Sequence, residues 1–263
     1  MAHADLTAPE TIPEPLQGAV AFVVRWIPLL VLAAGWELVS GWMVPEAVLP
    51  GPIAVFAETA DLVASGEVFA DLFLSVFRVA VGLGASILIG VALGIGMARS
   101  EPVENVFDVF LSLLYPIPKT ALVPLAILWL GVGTSTAVLI VFLACLLPIV
   151  LNSYNAASDV DRNLIWSAQM MGTDGRRLLW KVVFPATIPE IMTGVRQAIP
   201  IAFIALVSAE LIASNAGIGH LILAAGQIGN YTQMFAAIVV VSATAYAAVR
   251  GFEVLESRVM VWA

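Results

Sequence analysis

The chain has few residues that could carry out chemistry. Its 263 residues include two histidines, one cysteine and two lysines, Lys119 and Lys181. A phosphate-binding loop needs a glycine directly before its lysine, but Lys119 follows Pro118 and Lys181 follows Trp180. Two histidines and one cysteine also offer no cluster for a metal ion. We therefore expect no catalytic residue, no metal site and no cofactor in this chain.

Lys119 stands in an unusual place. It directly follows Pro116-Ile117-Pro118 inside a long apolar stretch. Each proline removes a backbone donor and clashes with the preceding turn, so a helix must kink or break there. Broken backbone at membrane depth is tolerated where it is buried in protein or lines a watery cavity. Lys119 therefore either contributes to a polar path or pairs with an acid or a carbonyl group, and the sequence leaves both interpretations open.

Other ionisable residues lie in further apolar stretches. Glu210 and Arg78 are the best candidates for a structural ion pair, because both fall in the outer halves of predicted helices. An ionisable residue inside a membrane is nevertheless a candidate for function by default. The residues predicted to line a polar path are Tyr115, Pro116, Pro118, Lys119 and Glu210.

The elements that position these residues follow from composition. Hydrophobic residues make up 61% of the chain and charged residues 11%, too little polar surface for a soluble domain. A spanning helix needs about 20 apolar residues to cross a hydrocarbon core of about 30 Å. A β-barrel is excluded because runs such as residues 137–147 do not alternate in polarity. The sequence predicts an all-α integral membrane protein with six transmembrane helices, over residues 22–42, 72–98, 106–131, 134–152, 189–213 and 234–252.

The distribution of charge predicts the orientation of these spans. Residues 43–71 contain five acids and no basic residue, whereas residues 153–185 contain Arg162, Arg176, Arg177 and Lys181. Basic residues mark cytoplasmic loops, so the second stretch is expected inside and the first outside. Six spans then return both termini to the cytoplasm. We expect a short N-terminal tail over residues 1–21 and one transmembrane domain over residues 22–263.

The second predicted span carries a small residue at every fourth position. A row of this kind lets helix backbones approach closely in lipid, where packing replaces the hydrophobic effect. We therefore expect a close helix contact along Gly82, Ser86, Gly90, Gly94 and Ala98.

The loop over residues 153–187 is too long and too apolar to be a simple connector. Leu164, Ala168 and Met171 share one face of a short helix predicted within residues 163–175. A second apolar stretch follows Gly175, and Pro185 and Pro189 are expected to end it before the next span. Apolar side chains beside the basic residues Arg176 and Arg177 predict a surface that docks on a partner. An amphipathic loop lying in the membrane plane is the alternative.

The segment from Trp166 to Pro189 resembles the EAA loop of permease subunits of binding-protein-dependent ABC importers. Ala168, Gly172 and Pro185 fall on the positions of that motif, but Trp166 stands where the family usually has Glu. This departure puts a charged contact at that position in doubt. The further stretches 49–52, 75–79, 116–133 and 209–220 look like the branch that handles nitrate, sulfonates, taurine and bicarbonate.

This resemblance implies a MetI-like ABC permease bundle with a cytoplasmic coupling helix. The implied partners are cytoplasmic ATPase subunits that bind ATP and magnesium, an external solute-binding protein and a second permease copy. The implied location is the inner or plasma membrane of a bacterium or archaeon, and the solute is a small anion. Trp166 is expected to act as an amphipathic anchor. The residues implied to couple to the ATPase are Leu164, Trp166, Ala168, Met171, Gly172, Thr173, Asp174, Gly175 and Arg176.

Two other functions compete with an importer. An ion-coupled secondary carrier usually shows an inverted repeat and carboxylates at the membrane midplane, and no clear repeat is present here. A membrane scaffold that transports nothing is the third hypothesis. Only an ATP-driven importer would couple hydrolysis to uptake.

Overall fold

Helices are the main regular elements of the described residues, which also contain one isolated β-bridge between Ser40 and Val44. The computed structural model describes residues 14–260, and of residues 14–25 and 259 the backbone alone. The α-helices in this range are α1 Glu14–Val39, α2 Pro52–Ser65, α3 Val68–Arg99, α4 Glu101–Leu114, α5 Val123–Leu130, α6 Thr134–Ser158, α7 Arg162–Met170, α8 Gly175–Leu178, α9 Phe184–Ala213, α10 Ile218–Gln227 and α11 Tyr231–Val259. A 3₁₀ turn, Lys119–Leu122, precedes α5, and a π-helical turn, Leu179–Val183, joins α8 to α9.

Four helical segments of the described chain are long and apolar enough to cross a membrane. A fifth candidate arises if α4 and α5 count as one span, bent by 88° at the break that the prolines predict. The first predicted span falls on α1. The part of α1 whose side chains are described, Trp26–Val39, is apolar but too short to count as a membrane span. The described residues therefore contain four or five candidate spans, which does not confirm the predicted six. The four long segments are Val68–Arg99, Thr134–Ser158, Gly175–Ala213 and Tyr231–Arg258.

The first helix lies partly within the predicted tail of residues 1–21. It is described from Glu14 onward, and residues 1–13 of that tail lie outside the described range.

The centre of the bundle is a sandwich of α3, α6 and α9. Helix α6 packs along both α3 and α9, and fully buried side chains from α6 and α9 fill the space between them. Helices α10 and α11 cover a further side of α9. The largest fully buried side chains in this core include Ile140, Val141, Ile149, Leu206 and Ile218.

The row of small residues on α3 forms the contact with α6, as predicted. A Cβ atom on Gly82 would lie 2.8 Å from the Cβ of Val141, and one on Gly94 would lie 2.5 Å from the carbonyl oxygen of Val150. Between them, the hydroxyl of Ser86 donates to the carbonyl of Phe142 at 2.8 Å. The two backbones can approach this closely only because α3 has no side-chain carbon at its glycine positions.

Helix α9 continues through the prolines that were expected to end the preceding helix. Pro185 lies in its first turn, and Pro189 lies inside it. Because the backbone is also helical before Pro185, both prolines lie inside the segment, and membrane helices tolerate internal prolines where neighbouring groups and local π-helical adjustments satisfy the freed backbone. The prediction of a stop before the next span is therefore wrong: residues 175–213 form one continuous helical segment.

Two glycines of α3 provide a matched test of this packing. A Cβ on Gly94 would clash with the α6 backbone, whereas a Cβ on Gly96 meets nothing within 4 Å. We expect Gly94→Ala to lower the free energy of unfolding by about 1–3 kcal/mol through overpacking. Gly96→Ala should be neutral or stabilising, because alanine favours helix more than glycine does. Thermal unfolding of the purified variants in detergent measures both, and equal stabilities would contradict the close contact.

Candidate functional site

Helix α7 is a short helix with a defined cap at each end. At its start, the Asp161 carboxylate accepts a hydrogen bond from the backbone N–H of Asn163 at 2.8 Å. At its end, Gly172 adopts a left-handed conformation with φ of +79°. The N–H of Thr173 donates to the carbonyl of Ala168, and that of Gly172 donates to Gln169, both at 2.9 Å. This is the Schellman arrangement, which satisfies the last carbonyl groups of a helix.

The helix is therefore shorter than predicted. It ends at Met170, and residues 171–174 turn the chain into α8, whereas the sequence suggested helix within 163–175. The left-handed backbone at Gly172 and a second one at Gly175, with φ of +50°, cause the early end. We call residues 162–178, from the start of α7 to the end of α8, the docking loop.

The docking loop exposes large apolar side chains. Met170 is 90% exposed and Trp166 is 59% exposed, and they stand one turn apart on α7. Leu164 and Met171 are also exposed. Exposed apolar side chains that cluster in this way mark a surface for a partner or for lipid. The sequence analysis missed Met170, although its spacing of four residues from Trp166 gave the signal.

One predicted contact residue lies on the inner side of this loop. Ala168 is buried, while Leu164 and Met171, assigned to the same face, are exposed. The side of α7 that carries Ala168 packs on the π-helical turn and on α8 of the same chain. Thr173 is half-buried, and Asp174, Gly175 and Arg176 are exposed. The predicted shared face is therefore wrong for Ala168.

Lys119 lies at the bend between α4 and α5. Its ammonium group donates to the backbone carbonyls of Leu114 and Ile117, the latter at 2.8 Å. Leu114 is the last residue of α4 and Ile117 lies in the turn after it, and the partial negative charge at a helix C-terminus attracts a cation. Of the two interpretations of Lys119, the pairing with carbonyls is present. An ammonium group has three donors, so one donor remains beyond these two bonds.

The rest of the bend is open. Tyr115 is 69% exposed, and Pro116 and Pro118 are exposed as well. Helix α4 before this bend packs on α3, and α5 after it packs on α6 and α9, so the bend is held from both sides. The exposed prolines therefore form part of a surface, which a solute path requires.

Glu210 does not share that surface. Its carboxylate is fully buried and lies 2.7 Å from Nη1 of Arg78. It also accepts hydrogen bonds from Ser75 Oγ at 2.8 and 2.9 Å and from the N–H of Gly219 at 2.8 Å. The predicted ion pair with Arg78 is confirmed. With its oxygens fully partnered and no exposed surface, Glu210 is not placed where a solute could reach it in this conformation.

The ion pair belongs to a larger polar network. Arg78 also donates to the carbonyl of Ala216 at 2.8 Å, to Ser214 Oγ at 3.0 Å and to Thr134 Oγ1 at 3.2 Å. Asp71 accepts the N–H of Gly217 at 2.5 Å. Sequence reasoning missed these partners, although Asp71 and Arg78 lie seven residues apart, two turns along one face of α3.

Comparison with known proteins identifies the family of this chain. Residues 86–261 match the family described as the binding-protein-dependent transport system inner membrane component. The chain belongs to this family. It is therefore a permease subunit of a binding-protein-dependent ABC importer, a non-catalytic, multi-pass membrane protein of an inner-membrane transport system.

Individual relatives agree along nearly the whole chain. A Bacillus subtilis permease named for aliphatic sulfonates transport is 30% identical over 237 residues, covering 90% of this chain and 86% of that protein. The taurine transport system permease protein of Escherichia coli is 29% identical over 254 residues, covering 94% of this chain and 92% of that one. The family membership decides against the secondary carrier and the inert scaffold.

A solved structure supports the fold. This chain superposes on a chain of the inward-facing MetNI methionine ABC transporter with a TM-score of 0.64. The superposition covers 73% of this chain and 95% of that one. The sequence identity is 15%, so this likeness concerns the fold alone. It confirms the expected MetI-like bundle.

The buried pair yields a test with its own internal control. We expect Glu210→Gln to lower the free energy of unfolding by about 3–5 kcal/mol, because it leaves the Arg78 charge buried without a countercharge. The double variant Arg78→Met/Glu210→Gln should recover much of this loss, since no unpaired charge remains. Thermal unfolding of the purified permease measures both. A double variant less stable than Glu210→Gln alone would contradict the assignment.

Proposed function

We propose that this permease carries a small organic sulfonate, with taurine as one member of the class. The observation that carries this proposal is the similarity, over about nine-tenths of the chain, to relatives named for aliphatic sulfonates and for taurine. Among the anions that the sequence suggested, this similarity favours sulfonates over nitrate and bicarbonate.

The experiment is uptake into proteoliposomes. The permease is reconstituted with its ATPase and solute-binding protein, and ATP-dependent uptake of labelled taurine and of a linear alkanesulfonate is measured. We expect uptake that excess unlabelled sulfonate suppresses and that nitrate and bicarbonate leave unchanged. Uptake of nitrate or bicarbonate in preference to both sulfonates would overturn the substrate class while leaving the importer function intact.

In the membrane, the proposed arrangement has six spans with both termini in the cytoplasm. The spans are α1, α3, the bent pair α4–α5, α6, residues 175–213 and α11. Arg99 lines one groove together with Leu179 and Trp180, which supports placing Arg99 and the basic docking loop at the same end of the bundle. The excess of basic residues supports the cytoplasmic side for that end.

A second copy of the chain and two ATPases complete the proposed transporter. Helix α9 is buried on most sides, but Ile201, Ile204 and Ile212 form an open strip along it. Helix α5, which packs on α9, exposes Leu128 and Trp129. An apolar face of this kind on an otherwise covered helix supports a contact with a second permease. The bend at Tyr115–Lys119 would then face the path between the two copies.

The docking loop is the proposed contact with the ATPase. Trp166 and Met170 supply large apolar side chains, which anchor interfaces when they fill pockets of a partner. Asp174 and Arg176 are exposed beside them. Gly172 has open space around the position of a Cβ, so its role here is to allow the left-handed turn and a close approach by the partner.

Gly172→Asp tests this contact. We expect the permease to fold but to retain roughly tenfold less ATPase on co-purification, because a carboxylate would be buried at the interface. The matched control is Gly229→Asp. Gly229 has φ of +77°, open space at its Cβ and the same pattern of terminal hydrogen bonds at the end of α10. If both variants lose the ATPase equally, backbone strain and not docking explains the effect.

Lys119→Gln tests the proposed path. The amide retains donors for the carbonyls of Leu114 and Ile117, but the positive charge is lost. One charge about 10 Å from an anion contributes 1–2 kcal/mol at an effective dielectric constant of about 20, so sulfonate uptake should fall on the order of tenfold. Lys119→Arg is the control that keeps the charge. Unchanged uptake in Lys119→Gln, with ATPase coupling intact, would remove Lys119 from the path.

A further inference from the structure

A long apolar groove runs between α3 and the start of α9. It has a volume of about 670 Å³ and lies on the outside of the bundle, where α3 turns Leu88, Ala92 and Gly96 toward it at intervals of four residues. The opposite wall comes from the π-helical turn and α9, and includes Trp180, Ile188 and Met192. Leu88 is 75% exposed, so the groove is open along its side.

One end of the groove carries a positive charge. Arg99, the last residue of α3, lines this end and is the only charged residue among those that line the groove in the described part of the chain. Its guanidinium has no ion pair or hydrogen bond with any residue that the structure describes. Trp180 lies at the groove too, and tryptophan prefers the boundary between headgroups and acyl chains.

We propose that this groove binds an anionic phospholipid. The acyl chain would lie along α3 and α9, and the phosphate would pair with Arg99. The permease spans a membrane, so the medium that meets an open apolar groove between two spans is lipid. Basic pockets between transmembrane helices on the cytoplasmic side recognise anionic headgroups. The absence of an acidic side chain among the described residues that line the groove suits the negative charge of such a lipid.

The position of the groove links the lipid to coupling. Leu179 and Trp180 belong to the π-helical turn that joins the docking loop to α9. π-Helical turns are rare and occur frequently at functional sites. A bound lipid would contact this turn and α3 together, and would hold the base of the docking loop against the bundle. The lipid site rests on the proposed cytoplasmic orientation of this end of the bundle and is independent of the identity of the solute.

Native mass spectrometry of the purified permease tests the proposal. Phosphatidylglycerol and phosphatidylcholine with identical acyl chains are added in parallel, and the bound lipid is counted. We expect the permease to retain phosphatidylglycerol in preference to phosphatidylcholine. Arg99→Gln should weaken phosphatidylglycerol binding about fivefold, the factor that corresponds to the attraction of one cation for an anionic membrane surface. Arg162→Gln, at an exposed basic residue that does not line the groove, should leave it unchanged.

The apolar part of the groove is tested by filling it. Gly96→Leu should block both lipids, while Gly84→Leu is the matched control, because Gly84 is also on α3 with nothing within 4 Å of its Cβ but lies outside the groove. Ala92→Leu serves as a second groove-filling variant if Gly96→Leu does not fold.

Three results would overturn the proposal. The first is equal retention of the two lipids by the unchanged permease. The second is unchanged lipid binding in both Arg99→Gln and a folded groove-filling variant. The third is a groove-filling variant that separates a permease dimer into monomers without releasing lipid, since the groove would then be occupied by a second copy of the chain.

Discussion

A single buried ion pair, Arg78 with Glu210, holds together the elements at one end of this bundle. A charge removed from water is tolerated only when its partner and its hydrogen bonds are all in place. Here the pair joins α3 to α9, and its neighbours Thr134, Ser214 and Gly219 bring in α6, the loop after α9 and α10. Because the loss of one partner leaves the other charge exposed to an apolar interior, this end of the permease has one favoured arrangement.

Close packing of backbones holds the rest of α3 in place. Lipid is as apolar as a leucine side chain, so membrane helices associate through packing and internal hydrogen bonds and not through a hydrophobic driving force. The glycines at 82, 90 and 94 bring α3 against α6 over several turns. The polar network at one end and the glycine contacts along the length together make α3, α6 and α9 the fixed part of the molecule.

The docking loop and the bend, which the transport cycle is proposed to use, both lie outside this core. The docking loop projects Trp166 and Met170, and the bend exposes Tyr115 and two prolines. The bend is held locally, since the Lys119 ammonium binds carbonyl groups at the end of α4 and in the turn after it. Helix α7 is held by its caps and by the side that carries Ala168. Each of these segments is therefore ordered by short-range interactions while its outer surface remains exposed.

The sequence by itself determined the class of this protein. Its long apolar runs require membrane helices, its prolines at 116 and 118 require a break, and its glycine row on α3 requires a close helix contact. The pairing of Arg78 with Glu210 also followed from charge and depth. These features depend on local chain chemistry and on the properties of the bilayer.

Tertiary structure decided which side of α7 faces outward, because Ala168 packs on a turn that follows it. It also decided that Glu210 lies within a network and not on a surface, because the partners of Glu210 are distant in the chain. It decided as well that the helix passes through Pro185 and Pro189, because that depends on whether neighbouring groups satisfy the backbone that a proline frees.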